Sequence, residues 1–147
     1  MRIEIDTSSR LDQSGDTVFG FSDDIQRAIL LKQTVRDECL ERLAGKKLKR
    51  ELKLFAACVY LLIEDYLEEL EEIKVDREYS GREEEIRWII LNMLKRDFSH
   101  PEKRITIRFE KIGKKNSAHQ IAWRTLRKER NPDRVIASRE ILSVLLK

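Results

Sequence analysis

Cysteine, proline and glycine are all scarce in this 147-residue chain, at two, two and five residues. Cys39 and Cys58 are too few and too isolated to build a disulfide framework or a cysteine-ligated metal cluster, which agrees with a reducing compartment. Both are expected to pack in the core. No repeat and no low-complexity linker divides the sequence. Long apolar runs are missing too. A bilayer-spanning helix needs about 20 apolar residues, and the richest segment, Leu52 to Ile63, is roughly half that length and carries Lys53. The opening MRIEID reads as a strand rather than a basic patch followed by an apolar stretch, so no secretory leader is expected. The expectation is one soluble, cytoplasmic domain over residues 1–147, of a size that buries a single core.

Charge is what the chain has in abundance. Asp, Glu, Lys and Arg make up 39% of it, a composition that suits a heat-adapted protein with many surface ion pairs. The net charge of +3 conceals a division: Glu64 to Glu85 holds eleven acidic and three basic residues, and Lys103 to Arg134 holds eleven basic and three acidic. The first region is suited to cations and the second to phosphates. Ordinary solvated helix faces look the same, so charge alone leaves both readings open.

The hydrophobic period organises the rest. Arg2 to Asp6 alternates as a half-buried strand, and Thr7 to Gly15 is a Ser/Asp/Gly loop. Strands at Thr17 to Ser22 and Ile25 to Lys32 follow through short connections, which favours an antiparallel meander. The period turns helical at Thr34 to Leu43, breaks at Gly45, and resumes in a long helix from Leu48 to near Glu72. Ile73 to Tyr79 reads as a strand. The run Glu83 to Glu85 opens a helix that stops before Ser99-His100-Pro101, with its acidic residues complementing the dipole. Arg104 to Lys111 is a strand, Ser117 to about Arg130 a helix, and Ser138 caps a last short helix.

A helical crossover makes the strands it joins parallel, so the strand carrying Asp76 is expected beside the first strand, with Asp6 and Asp76 as neighbours. Ligands in open α/β sheets bind beyond the carboxyl ends of such strands. Taken singly, each Asp is the kind of residue that caps a loop. Taken together they repel unless a cation or shared proton intervenes, and a divalent metal is the economical solution. Glu51 falls at the flank of the long helix's apolar face, where a carboxylate needs a partner, or pairs with a surface base such as Lys47. Glu38 competes with it if the segments around Gly45 form one helix. His119 stands in the first turn of a helix after the basic Gly113-Lys114-Lys115 loop, a place for a proton shuttle, a metal ligand or a plain packing residue. Trp88 and Trp123 sit at helical positions that suit the core better than base-stacking platforms.

The order of elements, with IEIDTSS on the first strand, KVDREYSG on the fourth and KIGKKNSAHQIAW entering the last main helix, resembles the ribonuclease H-like superfamily. That group includes ribonucleases H, Holliday-junction resolvases, integrases and transposases. The resemblance extends to about Arg130. It implies an α/β fold with a mixed five-stranded sheet of order 3-2-1-4-5, helices on both faces, and the succession β-β-β-α-β-α-β-α. It also implies a site in which two Mg²⁺ or Mn²⁺ ions, about 3.5–4 Å apart, activate a water and stabilise the leaving oxygen. Carried over residue by residue, Asp6 looks like the first-strand Asp, Asp76 like the fourth-strand Asp and Glu51 like the first-helix Glu, the three metal ligands. His119 occupies the place where such proteins keep a His, Asp or Glu.

Two departures stand out. The family's Glu lies near the start of the helix directly after the third strand, whereas here Thr34 to Leu43 intervenes. The chain also lacks a separate hybrid-binding module, so substrate grip would fall on Lys114, Lys115, Arg124, Arg127 and Lys128 through sequence-independent backbone contacts. The expected function is a metal-dependent nuclease hydrolysing DNA or RNA, hybrid or branched, with a homodimer where a resolvase-type substrate requires one. The alternatives are a domain of the same fold that binds nucleic acid or protein without cleaving, and a small interaction protein whose carboxylates cap loops.

Overall fold

A computed structural model describes residues 1–97 and 104–146. The expected meander is present: β1 (Arg2–Thr7), β2 (Thr17–Ser22) and β3 (Gln26–Leu31) pair antiparallel. Two helices follow, α1 (Gln33–Arg42) and α2 (Lys47–Ile63), then β4 (Glu72–Asp76), α3 (Glu83–Asp97), β5 (Thr106–Glu110), α4 (Ser117–Leu126), β6 (Arg134–Val135) and α5 (Ser138–Leu146). β4 lies parallel to β1, with Ile5 opposite Val75, and β5 lies parallel to β4.

The sheet has six strands in the order β5-β4-β1-β2-β3-β6, which corrects the five-stranded expectation. The added strand is Arg134-Val135, parallel to β3 at the sheet edge. Two residues carry no detectable alternation. The strand exists through tertiary contacts: Asp133 Oδ2 accepts from the Ala28 amide at 2.7 Å, and the Ile136 amide donates to the Leu30 carbonyl at 2.9 Å.

Alternation along the central strands divides the core into two layers. Ile3, Ile5, Phe19, Phe21, Ile29 and Leu31 face α2, α3 and α5 in the large cluster, and Val18 and Ala28 meet Ile121 and Ala122 of α4 on the other face. Gly20 lets α4 come close. A Cβ built there would stand 3.3 Å from the Ala122 nitrogen and 3.4 Å from the Ala118 carbonyl oxygen, so the helix backbone rests directly on the strand.

Three boundaries move by three residues or more. The helix read as continuing to Glu72 ends at Ile63, where Glu64–Tyr66 tightens into a 3-10 turn; the acidic Glu64 and Asp65 oppose the negative end of a helix dipole. The strand read through Tyr79 stops at Asp76, and the Glu78 amide turns back to the Asp76 carbonyl at 3.0 Å. α4 ends at Leu126 rather than near Arg130 because Lys128 takes a φ of 64°, while the Glu129 amide closes on the Arg124 carbonyl at 2.9 Å. Such a left-handed residue is a common helix stop. The sequence-predicted stop at Ser99-His100-Pro101 lies outside the described residues.

Both tryptophans depart from the core expectation: Trp88 is 68% exposed and Trp123 38%. Cys39 and Cys58 are buried as free thiols. Among the described residues, no helix is long and apolar enough to cross a membrane.

Candidate functional site

The parallel pairing of β1 with β4 ends at Ile5 and Val75, so Asp6 and Asp76 leave adjacent strands one residue further on. Even-numbered residues of β1 point to the α4 side, and Asp6 is only 3% exposed there. Its Oδ1 accepts from the Thr7 amide at 2.8 Å, and its Oδ2 lies 2.8 Å from His119 Nδ1 in the first turn of α4. With Asp6 ionised, the imidazole donates from Nδ1 and leaves Nε2 free. Asp76 Oδ1 accepts from the Ile112 amide at 2.8 Å, which ties β4 to the start of the basic loop.

A third carboxylate joins them. Ligand oxygens of Asp6, Asp76 and Glu78 all lie within 4.8 Å of one another. The turn after β4 brings Glu78 back to the strand ends, where Thr7 Oγ1 donates to its Oε1 and Arg10 donates to its backbone carbonyl at 2.7 Å. Glu78 Oε2 is buried with no hydrogen-bond partner. Burial, reinforced by the charges of Asp76 and Asp6, pushes the Glu78 carboxyl up to about 8. Asp6 is raised as well, by burial first and the Asp76 charge second, against the opposing pull of the Thr7 amide and His119.

Three oxygen donors with two carboxyls held above their ordinary range are what a hard divalent cation relieves. Mg²⁺ and Ca²⁺ take carboxylate oxygens at about 2.0–2.6 Å, and both metal and proton compete for the same lone pairs. The residues present therefore fit such an ion, with the orphaned Glu78 Oε2 as the donor lacking any other partner.

Glu51 lies apart from this group. It is 5% exposed on α2 and faces Tyr79, whose hydroxyl is buried without a well-aligned hydrogen bond. Burial and the Glu51 charge push the Tyr79 phenol far above its ordinary range. The Tyr79 ring meets Phe55 edge-on at 5.3 Å, and Arg10 lies 5.1 Å over it. Glu38 is surface-exposed and pairs with Arg42 at 3.7 Å across one turn of α1, a helix separated from α2 by Gly45 at a φ of 111°. No strand period marks Glu78: it lies past the end of β4 and reaches the strand ends through the turn in which its amide meets the Asp76 carbonyl.

The basic residues divide between a loop and the end of a helix. Lys114 and Lys115 are exposed in the loop that leaves Asp76 through Ile112 and ends at Asn116. Asn116 Oδ1 caps α4 by accepting from the Ala118 amide at 2.8 Å, and its Nδ2 donates to Glu4 on β1. The loop is thus pinned at both ends beside the carboxylates. Arg124, Arg127 and Lys128 are exposed toward the far end of α4. The His119 and Trp123 rings, one turn apart, stand 6.0 Å centre to centre.

Comparison with protein-family models, with curated proteins and with solved structures returns no match. The ribonuclease H-like resemblance therefore rests on the chain's own topology and acidic positions.

Proposed function

We propose that this chain is a divalent-metal-dependent nuclease of ribonuclease H-like type, with a sixth strand added to the sheet. The observation that carries the proposal is the convergence of Asp6, Asp76 and Glu78 at the ends of two parallel strands, with His119 bonded to one and a pinned basic loop beside another. Mg²⁺ or Mn²⁺ held there supplies Lewis-acid stabilisation of phosphoryl oxygens and a water made acidic enough to attack near neutral pH. The protein's own groups do the positioning. Asp6, Asp76 and Glu78 would hold the cation at the strand ends, and Asp6, by engaging Nδ1 of His119, leaves Nε2 as the ring nitrogen to take or return a proton. Lys114 and Lys115 draw the phosphate backbone toward the loop without reading sequence.

The test is a cleavage assay over single-stranded, duplex, hybrid and four-way substrates of DNA and RNA, with Mg²⁺, Mn²⁺ or chelator. Metal-dependent products that vanish in Asp6→Asn, Asp76→Asn and Glu78→Gln are expected. Salt-sensitive binding with no cleavage on any substrate defeats the enzyme and leaves the non-catalytic binding domain. A four-way substrate would further require two copies, which sedimentation reads directly. A cytoplasmic setting belongs to the same proposal, since Cys39 and Cys58 are both free.

A further inference from the structure

The indole of Trp123 on α4 is exposed and touches the His119 ring. α4 buries Ala118, Ile121, Ala122 and Thr125 against the sheet, while Trp123 stands on the opposite side, 38% exposed. Residues four apart on a helix share a stripe, so His119, Trp123 and Arg127 form one line. That line starts at the imidazole bonded to Asp6 and ends at an exposed guanidinium. Each turn adds about 5.4 Å along the axis, which places the indole one turn beyond His119, the residue bonded to Asp6. The His119 ring backs it at 6.0 Å, with the planes inclined at 57°, so the indole is partly held before anything binds.

We infer that Trp123 is a stacking platform for an unpaired base, and that the substrate of this site is therefore a nucleic acid with a single-stranded or extruded nucleotide beside the scissile phosphate. This rests on the nuclease reading above. A base inside a duplex has both faces covered by its neighbours, so an indole reaches one only at an end, a gap or an extruded nucleotide. Every base presents a π-face, so the contact is indifferent to sequence, as are the phosphate contacts available to Lys114, Lys115 and Arg127. A continuous duplex would leave Trp123 in water and use only the basic residues.

The chain has two tryptophans, so Trp88→Phe leaves Trp123 as the sole indole. In that background, with Asp76→Asn added to prevent cleavage, oligothymidylate, oligouridylate and a blunt hairpin duplex are titrated while indole fluorescence and affinity are followed. Saturable quenching by the single strands is expected, with little by the duplex. Trp123→Ala should weaken single-strand binding by about 5- to 150-fold, the usual effect of removing one base–aromatic stack, Trp123→Phe should restore part of it, and duplex affinity should stay unchanged. Single-strand binding without quenching, or an equal loss for strand and duplex, overturns the platform while the nuclease reading stands. Binding of none of the three probes overturns the platform, while the nuclease reading is decided by the cleavage panel.

Discussion

Replacing Asp76 by Asn should make the protein more stable without metal and less stable with it. The substitution keeps the oxygen that accepts from the Ile112 amide and removes one negative charge from a group whose oxygens lie within 4.8 Å. At that separation two unit charges repel by ~3.5 kcal/mol at an effective dielectric constant near 20. Asp76 is only partly buried, so screening reduces this to about 1–2 kcal/mol. For a chain of this size that amounts to a rise of about 2–8 °C in the melting temperature in chelator. Metal inverts the order. An ion at a hundred times its dissociation constant stabilises the wild type by about 2.7 kcal/mol, or roughly 5–11 °C, and the variant, short of one ligand, should gain little. Thermal unfolding of both proteins in chelator, Mg²⁺ and Mn²⁺ reads all the required numbers. Equal stability in chelator, or an equal gain from Mn²⁺, refutes the view that these carboxylates are held together for a cation.

Other consequences follow from the same geometry. The folded Glu78 carboxyl titrates near 8 against an ordinary 4.5, so between those values the folded state holds a proton that the unfolded chain has released. Stability of the metal-free protein should therefore fall as pH rises through that window, by at most about 1.4 kcal/mol per unit, and Glu78→Gln should flatten the slope in unfolding titrations. Metal binding below about pH 8 should expel that proton, which calorimetry in buffers of different ionisation enthalpy detects. Glu51→Gln should leave the metal-induced melting shift intact, because Glu51 faces Tyr79 outside the carboxylate group; loss of the shift would make Glu51 a ligand after all. Lys114→Ala with Lys115→Ala should weaken oligonucleotide binding uniformly across sequences and lower the salt slope by about 0.7–0.9 for each phosphate no longer neutralised; an unchanged slope would move the binding face elsewhere.

How much of this was legible in the sequence depends on whether a local pattern or a tertiary approach set each feature. The meander and the Asp6–Asp76 juxtaposition were legible because alternation marks the strands and the crossover rule fixes their direction. β6 was not, since two residues have no period, and neither was the end of α2, because Tyr66 stays partly buried and Leu70 fully buried after the backbone has left the helix. Helical period puts Glu51 at the flank of the apolar face of α2, and the side chain is buried there. Burial alone could not distinguish a site facing Tyr79 from one facing Asp6, whereas a turn two residues after Asp76 decides Glu78.

The placement of His119 shows why the geometry of the candidate site lies deeper than the fold. Helical period puts His119 in the first turn of α4, but nothing in that period says how near the helix comes to β1. The approach is set by Gly20, opposite Asp6 on β2, where the absence of a side chain lets the Ala118 and Ala122 backbone settle on the sheet. Gly20→Ala should force α4 outward by a few tenths of an ångström and cost about 1–3 kcal/mol, as overpacking does. The 2.8 Å bond between His119 Nδ1 and Asp6 Oδ2 has no such slack. Cleavage should then fall by more than the stability loss explains, while the metal-induced melting shift, which depends on the strand ends and not on the helix, persists. Single-turnover cleavage measured well below the variant's melting temperature separates the two effects, and a variant that cuts normally would show that His119 does not need α4 at this distance.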